Sequence, residues 1–313
     1  MHLVLPFASA LSPAAGQALS TLQLPALERL LARLAPARRD EGDELSLSPP
    51  HERVLARAWG WPEADDGLLP LAAQAARRDG LAVEPGDDGW ALLSPAHWHV
   101  GTEQVSLGNP LALGLDHAFS RLLFDTLAPL FADGGWQLLW GAPTRWYARH
   151  PSLAELPSAS LDRVIGRNVD LWLGSHPGAR LVRRLQAEAQ MTLHQHPLNE
   201  AREAEGLLPV NSFWLSGTGP TQPPAVTDGL QIDERLRGPA LADDWTTWAE
   251  AWASLDAGPV AALLHRAEAG QAVQITLCGE RHAQTFAPID RPWWRRGLLA
   301  PRRENPAPWL ADL

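Results

Sequence analysis

Short apolar runs alternate along the chain with longer runs of helical periodicity. The strand-like runs include HLVLPF from residue 2, NSFWLSG from residue 211 and AVQITLC from residue 272. Between them, apolar side chains recur at helical spacing, as in LPALERLLARL and LDHAFSRLLFDTLAPLF. Helices placed between strands favour a mixed or parallel sheet that is covered on both faces. The sequence therefore predicts an α/β fold.

The length of the chain suits one large domain around a full core. It has 313 residues, of which 45% are hydrophobic. Pro and Gly concentrate at residues 219–228 and again after residue 291, which indicates a connection and a terminal segment. We predict a single α/β domain over residues 1–290, with room for a small insertion. An Arg/Pro/Trp-rich tail over residues 291–313 follows and is expected to dock through Trp293, Trp294 and Trp309.

Composition excludes several classes of function. All 26 basic residues are arginine, which excludes a Schiff-base lysine, a pyridoxal phosphate anchor and the lysine of a P-loop. The formal charge of −10 argues against broad binding of nucleic acid. No apolar run approaches the length of a membrane span, and the single cysteine, Cys278, favours a reducing compartment. We therefore expect a cytoplasmic protein with neither a nucleic-acid nor a membrane partner.

One segment near residue 200 carries a specific motif. In HPLNEAREAEGLLPVNSFWLSGTG, nine residues fall at defined spacing: His196, Pro197, Asn199, Arg202, Gly206, Pro209, Asn211, Gly217 and Gly219. The segment resembles one that is characteristic of the archaeal-type cofactor-independent phosphoglycerate mutases. LPALERLLARL resembles the helix that follows the first strand in the alkaline phosphatase superfamily, and PPHERVLARAWGWP resembles a further mutase segment. The whole chain is also similar to the bacterial RpfE-type regulatory proteins.

The resemblance implies a particular fold and ligand class. The fold is an alkaline phosphatase or phosphoglycerate mutase-like mixed sheet with helices on both faces. HLVLPF and NSFWLSG are then expected in one sheet, and the helix that begins near Ser48 is expected beside the carboxyl end of the first strand. The expected ligand is a small anionic or phosphorylated metabolite. Its candidate binding residues are Arg167, Asn199, Arg202, Asn211, Gly217 and Gly219.

The catalytic positions of the mutases are altered in this chain. The family's first strand ends in Asp-Gly, whereas this strand runs into PFASAL with no acid before Glu28. The nucleophilic serine position falls on His51, and the adjacent metal-binding aspartate position falls on Glu52. The resemblance therefore implies a degenerate metal site without mutase activity. His51 and Glu52 are the candidate catalytic residues, because an imidazole beside a carboxylate could accept a phosphoryl group or a proton. His51 could equally lie in a first helical turn without a chemical role.

Two further groups of residues have alternative interpretations. The Gly217-Thr218-Gly219 loop could form a backbone nest for an anion, clamped by Arg167 or Arg202, or it could be an ordinary turn. His97 and His99 alternate on a predicted strand and so project to one face. They could bind a divalent metal with Glu103 as a third ligand, or they could line a polar cleft without a metal. No cofactor follows with certainty from these residues.

Three functions fit this sequence. The leading hypothesis is a regulatory or binding protein that lacks mutase activity and retains an anionic-ligand cleft. In that cleft His51, His97, His99 and an arginine are expected to converge with the glycine N–H groups. A second hypothesis is a metal-dependent phosphotransferase or phosphohydrolase with a rearranged site. A third is a structural module that binds a protein partner through tryptophans, since Trp245, Trp248 and Trp252 recur as one helix stripe that either packs in the core or binds a partner.

Overall fold

The computed structural model describes residues 1–84, 88–288 and 303–313. The strands in these ranges are β1 (His2–Leu5), β2 (Leu34–Asp40), β3 (Gly89–Ala96), β4 (Trp98–Val100), β5 (Val105–Leu107), β6 (Gln137–Ala142), β7 (Arg145–His150), β8 (Ser212–Ser216), β9 (Leu230–Ile232), β10 (Gln274–Cys278) and β11 (Ala283–Pro288). The α-helices are α1 (Pro13–Thr21), α2 (Pro25–Leu31), α3 (Pro50–Ala58), α4 (Leu71–Arg78), α5 (His117–Asp133), α6 (Leu161–Val164), α7 (Ala179–Leu193), α8 (Pro197–Ala204), α9 (Arg237–Leu241), α10 (Trp245–Leu255), α11 (Ala261–Glu268) and α12 (Ala307–Ala311). None of the helices in the described ranges is long and apolar enough to cross a membrane.

The chain forms two compact units. The first contains Met1–Glu44, Pro49–Gly60 and Val226–Leu313, and the second contains Leu45–Ser48 and Trp61–Ala225. The predicted single domain over residues 1–290 stays a prediction, and its boundary with the tail lies outside the described residues.

The tail prediction is only partly accessible to the structure. Trp293 and Trp294 lie outside the described residues. Trp309 lies on α12, where its ring packs edge-on against Phe286 with 5.2 Å between the ring centroids. This contact lies within the first unit, so the described end of the tail packs against that unit's core.

The first unit is built on a five-stranded mixed sheet in the order β2-β11-β10-β1-β9. β1 runs parallel to β9 and β10, whereas β11 runs antiparallel to β10 and β2. Leu3 and Leu5 share a core with helix residues such as Trp252. Val4, on the opposite face, packs with Val54 of α3. Helices therefore cover both faces of this mixed sheet, and the predicted α/β class is confirmed.

The tryptophan stripe of α10 packs largely into this core. Trp248 and Trp252 are 1% and 0% exposed. Trp245 is partly buried against the same cluster. For Trp248 and Trp252, core packing therefore accounts for the helical spacing.

The second unit contains a four-stranded antiparallel sheet in the order β6-β7-β3-β8, and a separate hairpin of β4 and β5. The prediction that HLVLPF and NSFWLSG lie in one sheet is wrong, because β8 pairs with β3. All five residues of β8 are buried, a pattern that is typical of a central parallel strand. Here the same pattern arises in an edge strand that is covered on both faces. Phe213 packs in a cluster with residues of α7, and the indole of Trp214 donates to the carbonyl oxygen of Ala159 at 3.0 Å.

Candidate functional site

The carboxyl end of β1 and the amino end of α3 meet within the first unit. The rings of Phe7 and His51 have centroids 5.2 Å apart. This contact confirms that the helix after Ser48 starts beside the end of the first strand. His51 is 8% exposed, and Glu52 follows it in the first turn of α3. A catalytic role for these two residues stays a prediction.

The backbone after β1 has an uncommon conformation that several contacts hold in place. Phe7 has a φ of 57°, which lies in the left-handed region that bulky residues seldom adopt. Its carbonyl oxygen accepts a hydrogen bond from the indole of Trp248 at 2.9 Å. The neighbouring Ala8 donates to the carbonyl oxygen of Cys278 at 2.8 Å and accepts from the indole of Trp252 at 3.3 Å. The strand end is therefore fixed among aromatic side chains.

Asp40, at the end of β2, holds two arginines of α3. Its carboxylate accepts from Nε of Arg53 at 2.6 Å and from Arg57 through a shorter contact. Arg53 also donates to the carbonyl oxygen of Arg281 at 3.3 Å, which joins α3 to the turn between β10 and β11. Asp40 is 8% exposed. A carboxyl group buried to this degree requires hydrogen-bond partners of this kind, since burial removes its contacts with water.

His282, on the turn between β10 and β11, has two arginines as charged neighbours. Burial lowers the pKa of His282, and the positive charges of Arg39 and Arg281 lower it further, against the opposing effect of acidic neighbours. The N–H group of Gly42 donates to Nδ1 of His282 at 3.3 Å, which requires that nitrogen to be unprotonated. We call Arg39, Arg53, Arg57 and Arg281 the arginine cluster. It lies where β2 and β10 end, the edge at which ligands of α/β sheets commonly bind.

Cys278 ends β10 beside this cluster. Burial raises the pKa of its thiol strongly, and the negative charge of Asp40 acts in the same direction. The side chain is 0% exposed. At neutral pH Cys278 is therefore a buried thiol, and the thiolate that a nucleophile requires is disfavoured.

Two predicted ligand residues of the second unit bind backbone groups. The amide of Asn199 donates to the carbonyl oxygens of Leu193 and Val210 at 3.0 and 2.8 Å, and its oxygen accepts from the N–H group of Val210 at 3.0 Å. Asn199 is 4% exposed. These bonds connect the start of α8 to the chain that enters β8.

Arg202 acts in a similar way. Its guanidinium donates to the carbonyl oxygens of Leu208 and Leu113 at 2.8 and 2.6 Å, and it lies over the ring of Phe119. The residue is 5% exposed. Arg167 is half-buried after α6, where its N–H group donates to the carbonyl oxygen of Val164 at 2.9 Å. Ligand binding by Arg167, Asn199 or Arg202 stays a prediction.

The glycine loop after β8 is a tightly packed turn. A Cβ atom at Gly217 would lie 2.7 Å from the backbone nitrogen of Ala72, and one at Gly219 would lie 2.4 Å from the carbonyl oxygen of Leu68. The N–H group of Thr218 donates to the hydroxyl of Ser158 at 3.3 Å, and that of Gly219 donates to the carbonyl oxygen of Leu153 at 3.2 Å. These donors are thus engaged within the protein. Anion binding at Gly217 and Gly219 stays a prediction that would require them to be released.

His97 and His99 lie together on and beside β4. Their ring centroids are 4.4 Å apart. Nδ1 of His97 lies 2.8 Å from the carbonyl oxygen of Pro209. Burial lowers the pKa of His97 and the neighbouring His99 lowers it further, whereas the hydrogen bond to Pro209 and the charge of Glu203 oppose these effects. Asn211, another predicted ligand residue, binds both backbone groups of the intervening Trp98, at 2.7 and 3.0 Å.

Glu103 lies in the exposed loop of the same hairpin. Within residues 1–84, 88–288 and 303–313, no group of three or more His, Cys, Asp or Glu side chains is placed to hold a metal ion. Glu103 is thus not placed to act as a third metal ligand beside His97 and His99. The predicted single cleft also stays a prediction, since His51 belongs to the first unit and His97, His99 and the glycines belong to the second.

Sequence reasoning missed the arginine cluster, although two signals for it were present. Arg53 and Arg57 are four residues apart, which places them on one face of a helix. The run ARRD at the end of β2 supplies Arg39 and the acceptor Asp40. Neither signal indicates that α3 lies against the end of β2, because that contact depends on the order of strands in the sheet.

Comparisons with known proteins give structural similarities at low sequence identity. No family model matches the chain, and no curated protein matches it. Among solved structures, it is similar to the cofactor-independent phosphoglycerate mutase from Thermoplasma acidophilum, with 15% identity, a TM-score of 0.38 and coverage of 92% of this chain and 90% of that one. It is also similar to the PH0037 protein from Pyrococcus horikoshii, with 13% identity, a TM-score of 0.47 and coverage of 92% and 86%. At these TM-scores the similarities carry no argument about activity.

Proposed function

We propose that the chain is a phosphoglycerate-mutase-like regulatory protein of the RpfE type that binds a small anionic or phosphorylated metabolite without turning it over. The observation that carries this proposal is the arginine cluster at the carboxyl edge of the five-stranded sheet. Two guanidinium groups share the single carboxylate of Asp40, and one of them, that of Arg57, is partly exposed. Arginine pairs well with phosphate and carboxylate groups, because its planar donors match their oxygens.

The exposure of the cluster also supports an anion site. Arg57 has 33% of its side chain exposed, and Arg53 has 19%. Arg57 is therefore within reach of a ligand that approaches from solvent. Burial is the main cause of the lowered pKa of His282, and the charges of Arg39 and Arg281 lower it further against the opposing charges of Asp312 and Glu41. Guanidinium groups therefore act on this edge of the sheet together with acidic neighbours.

The packing at the end of β1 supports a proposed function without phosphoglycerate mutase activity. The resemblance implies a metal-binding Asp-Gly at this place, where the chain has Phe7 packed against His51. Two-metal phosphoryl transfer needs carboxylates and imidazoles to hold the ions that stabilise the attacking and leaving oxygens. We infer that the mutase metal centre is degenerate in this unit.

Phosphate or 3-phosphoglycerate is expected to raise the melting temperature of the protein. Preferential binding to the native state adds roughly 2.7 kcal/mol to the free energy of unfolding at about 100 times the dissociation constant. In Arg57→Ala the ligand-induced shift should shrink or disappear, because the exposed guanidinium is lost. The measurement is thermal unfolding of each variant with and without ligand.

Arg184→Ala is the matched control for this measurement. Arg184 belongs to the second unit, and 67% of its side chain is exposed in an ion pair with Glu188. Its removal should leave the ligand-induced shift unchanged. The proposal fails if the unsubstituted protein shows no shift with either ligand, or if Arg57→Ala keeps the full shift.

No phosphoglycerate mutase turnover is expected. The physical reason is the replacement of the first-strand carboxylate and of the serine nucleophile, which leaves His51 packed against Phe7. A coupled assay supplied in turn with Mn²⁺, Zn²⁺ and Mg²⁺ would measure it. Turnover above background that disappears in His51→Ala would contradict the proposal that this protein lacks mutase activity.

A further inference from the structure

Two histidines of the second unit, one before and one within β4, lie in direct ring contact. His97 and His99 lie on the same side of the chain, and their rings meet at 68° with centroids 4.4 Å apart. A zinc ion bound by two imidazoles takes Zn–N bonds of about 2.0–2.1 Å. Rings this close can reach such a geometry through small side-chain rotations.

The first imidazole is oriented by a backbone carbonyl. Nδ1 of His97 lies 2.8 Å from the carbonyl oxygen of Pro209. A carbonyl can only accept, so Nδ1 carries the proton and donates it. The lone pair of the neutral ring is then on Nε2. A hydrogen bond from the second ring nitrogen to a carbonyl is the usual way in which proteins fix a metal-binding histidine.

The backbone between the two histidines is fixed as well. The N–H group of Trp98 donates to Oδ1 of Asn211 at 2.7 Å, and Nδ2 of Asn211 donates to the carbonyl oxygen of Trp98 at 3.0 Å. The indole of Trp98 is buried towards Trp214, with 6.2 Å between the ring centroids. The two imidazoles are thereby directed away from this buried side.

Gly108 leaves space for the second imidazole. Its N–H group donates to the carbonyl oxygen of His97 at 2.8 Å. A Cβ atom at this position would lie 3.0 Å from that oxygen and 3.4 Å from Nε2 of His99. A larger residue would therefore press on both histidines.

We propose that His97 and His99 form a solvent-open binding site for a borderline divalent transition-metal ion such as Zn²⁺, held by one nitrogen of each imidazole. Imidazole ligands select Zn²⁺, Ni²⁺ and Cu²⁺ over Mg²⁺ and Ca²⁺, which prefer oxygen. No third His, Cys, Asp or Glu side chain in the described residues completes the set, so water takes the remaining positions. The site lies in the second unit and is independent of the proposed arginine-cluster ligand.

Isothermal titration of the full chain with Zn²⁺ tests the site, using protein that carries no histidine tag and has been treated with a chelator. We expect one saturable equivalent. His97→Ala and His99→Ala should each weaken binding at least about tenfold, since each removes one of two ligands; a tenfold loss corresponds to about 1.4 kcal/mol. His265→Ala is the control, because the His265 side chain is 77% exposed and lies in the first unit. It should bind Zn²⁺ as the unsubstituted protein does.

Electron paramagnetic resonance with Cu²⁺ as the probe provides a readout that a purely structural role would not change. The spectrum of the unsubstituted protein should show coupling to two imidazole nitrogens, and each single variant should show coupling to one. His99 is exposed, so His99→Ala should fold normally even if His97→Ala does not. The proposal is overturned if no saturable Zn²⁺ binding occurs, or if His99→Ala retains the original affinity and nitrogen coupling.

Discussion

Asp40→Asn is expected to lower the free energy of unfolding by about 3 kcal/mol. Removal of one partner from a buried ion pair typically costs about 3–5 kcal/mol, because the other charge remains without compensation. The Asp40 side chain is 7% exposed and pairs with two guanidinium groups, those of Arg53 and Arg57. Partial access of these arginines to solvent places the expected cost at the lower end of that range. Urea unfolding of the variant and the unsubstituted protein would measure the difference.

Asp312→Asn is the matched control for the loss of an acidic partner in the same unit. The Asp312 carboxylate lies 3.0 Å from a nitrogen of Arg39, but 65% of its side chain is exposed. Exposed ion pairs contribute about 0–1 kcal/mol, since water already stabilises both charges. Equal losses in the two variants would mean that burial does not set the importance of Asp40, and the arginine cluster would lose its structural basis.

Local features of the fold were predictable because neighbouring residues encode them. HLVLPF forms β1, and PPHERVLARAWGW contains α3, as the apolar run and the helical spacing indicate. The contact of Phe7 with His51 agrees with the expectation, drawn from the resemblance to the mutases, that the helix near Ser48 starts beside the carboxyl end of the first strand. These predictions depend on short segments and on a general rule of α/β sheets.

The sheet that contains β8 was not predictable in the same way. The apolar character of NSFWLSG indicates that the strand is buried, but it does not identify the strand with which it pairs. That choice depends on β3, more than a hundred residues earlier, with which Ser212 to Ser216 pair. A pattern read within one segment carries no information about such a partner.

The candidate ligand residues illustrate a related ambiguity. Asn199, Arg202 and Asn211 have the hydrogen-bonding capacity that an anionic ligand or its surroundings would require. In the structure they bind the carbonyl and N–H groups of the chain around α8 and β8. A buried backbone group and a ligand place the same demand on a polar side chain, so the sequence alone does not distinguish them.

Gly219→Ala is expected to lower the free energy of unfolding by about 3 kcal/mol or more. Gly219 has a φ of 139°, and an added Cβ atom would lie 2.4 Å from the carbonyl oxygen of Leu68. Overpacking and a disfavoured backbone conformation each cost about 1–3 kcal/mol. Relief of the contact would require movement of backbone, which also carries the bond from the Gly219 N–H group to Leu153. Urea unfolding measures the loss.

Gly206→Ala separates the backbone conformation from the packing. Gly206 belongs to the same unit and has a φ of 74°, but no atom lies within 4 Å of an added Cβ. Its substitution should cost only the left-handed conformation, about 1–2 kcal/mol. If Gly219→Ala lowers the free energy of unfolding clearly more than Gly206→Ala does, the additional loss is due to close packing of residue 219 against the turn at Leu68. If Gly219→Ala instead retains its stability and loses only the shift produced by phosphate, the loop acts in ligand binding, and the anion site belongs to the second unit instead of the arginine cluster.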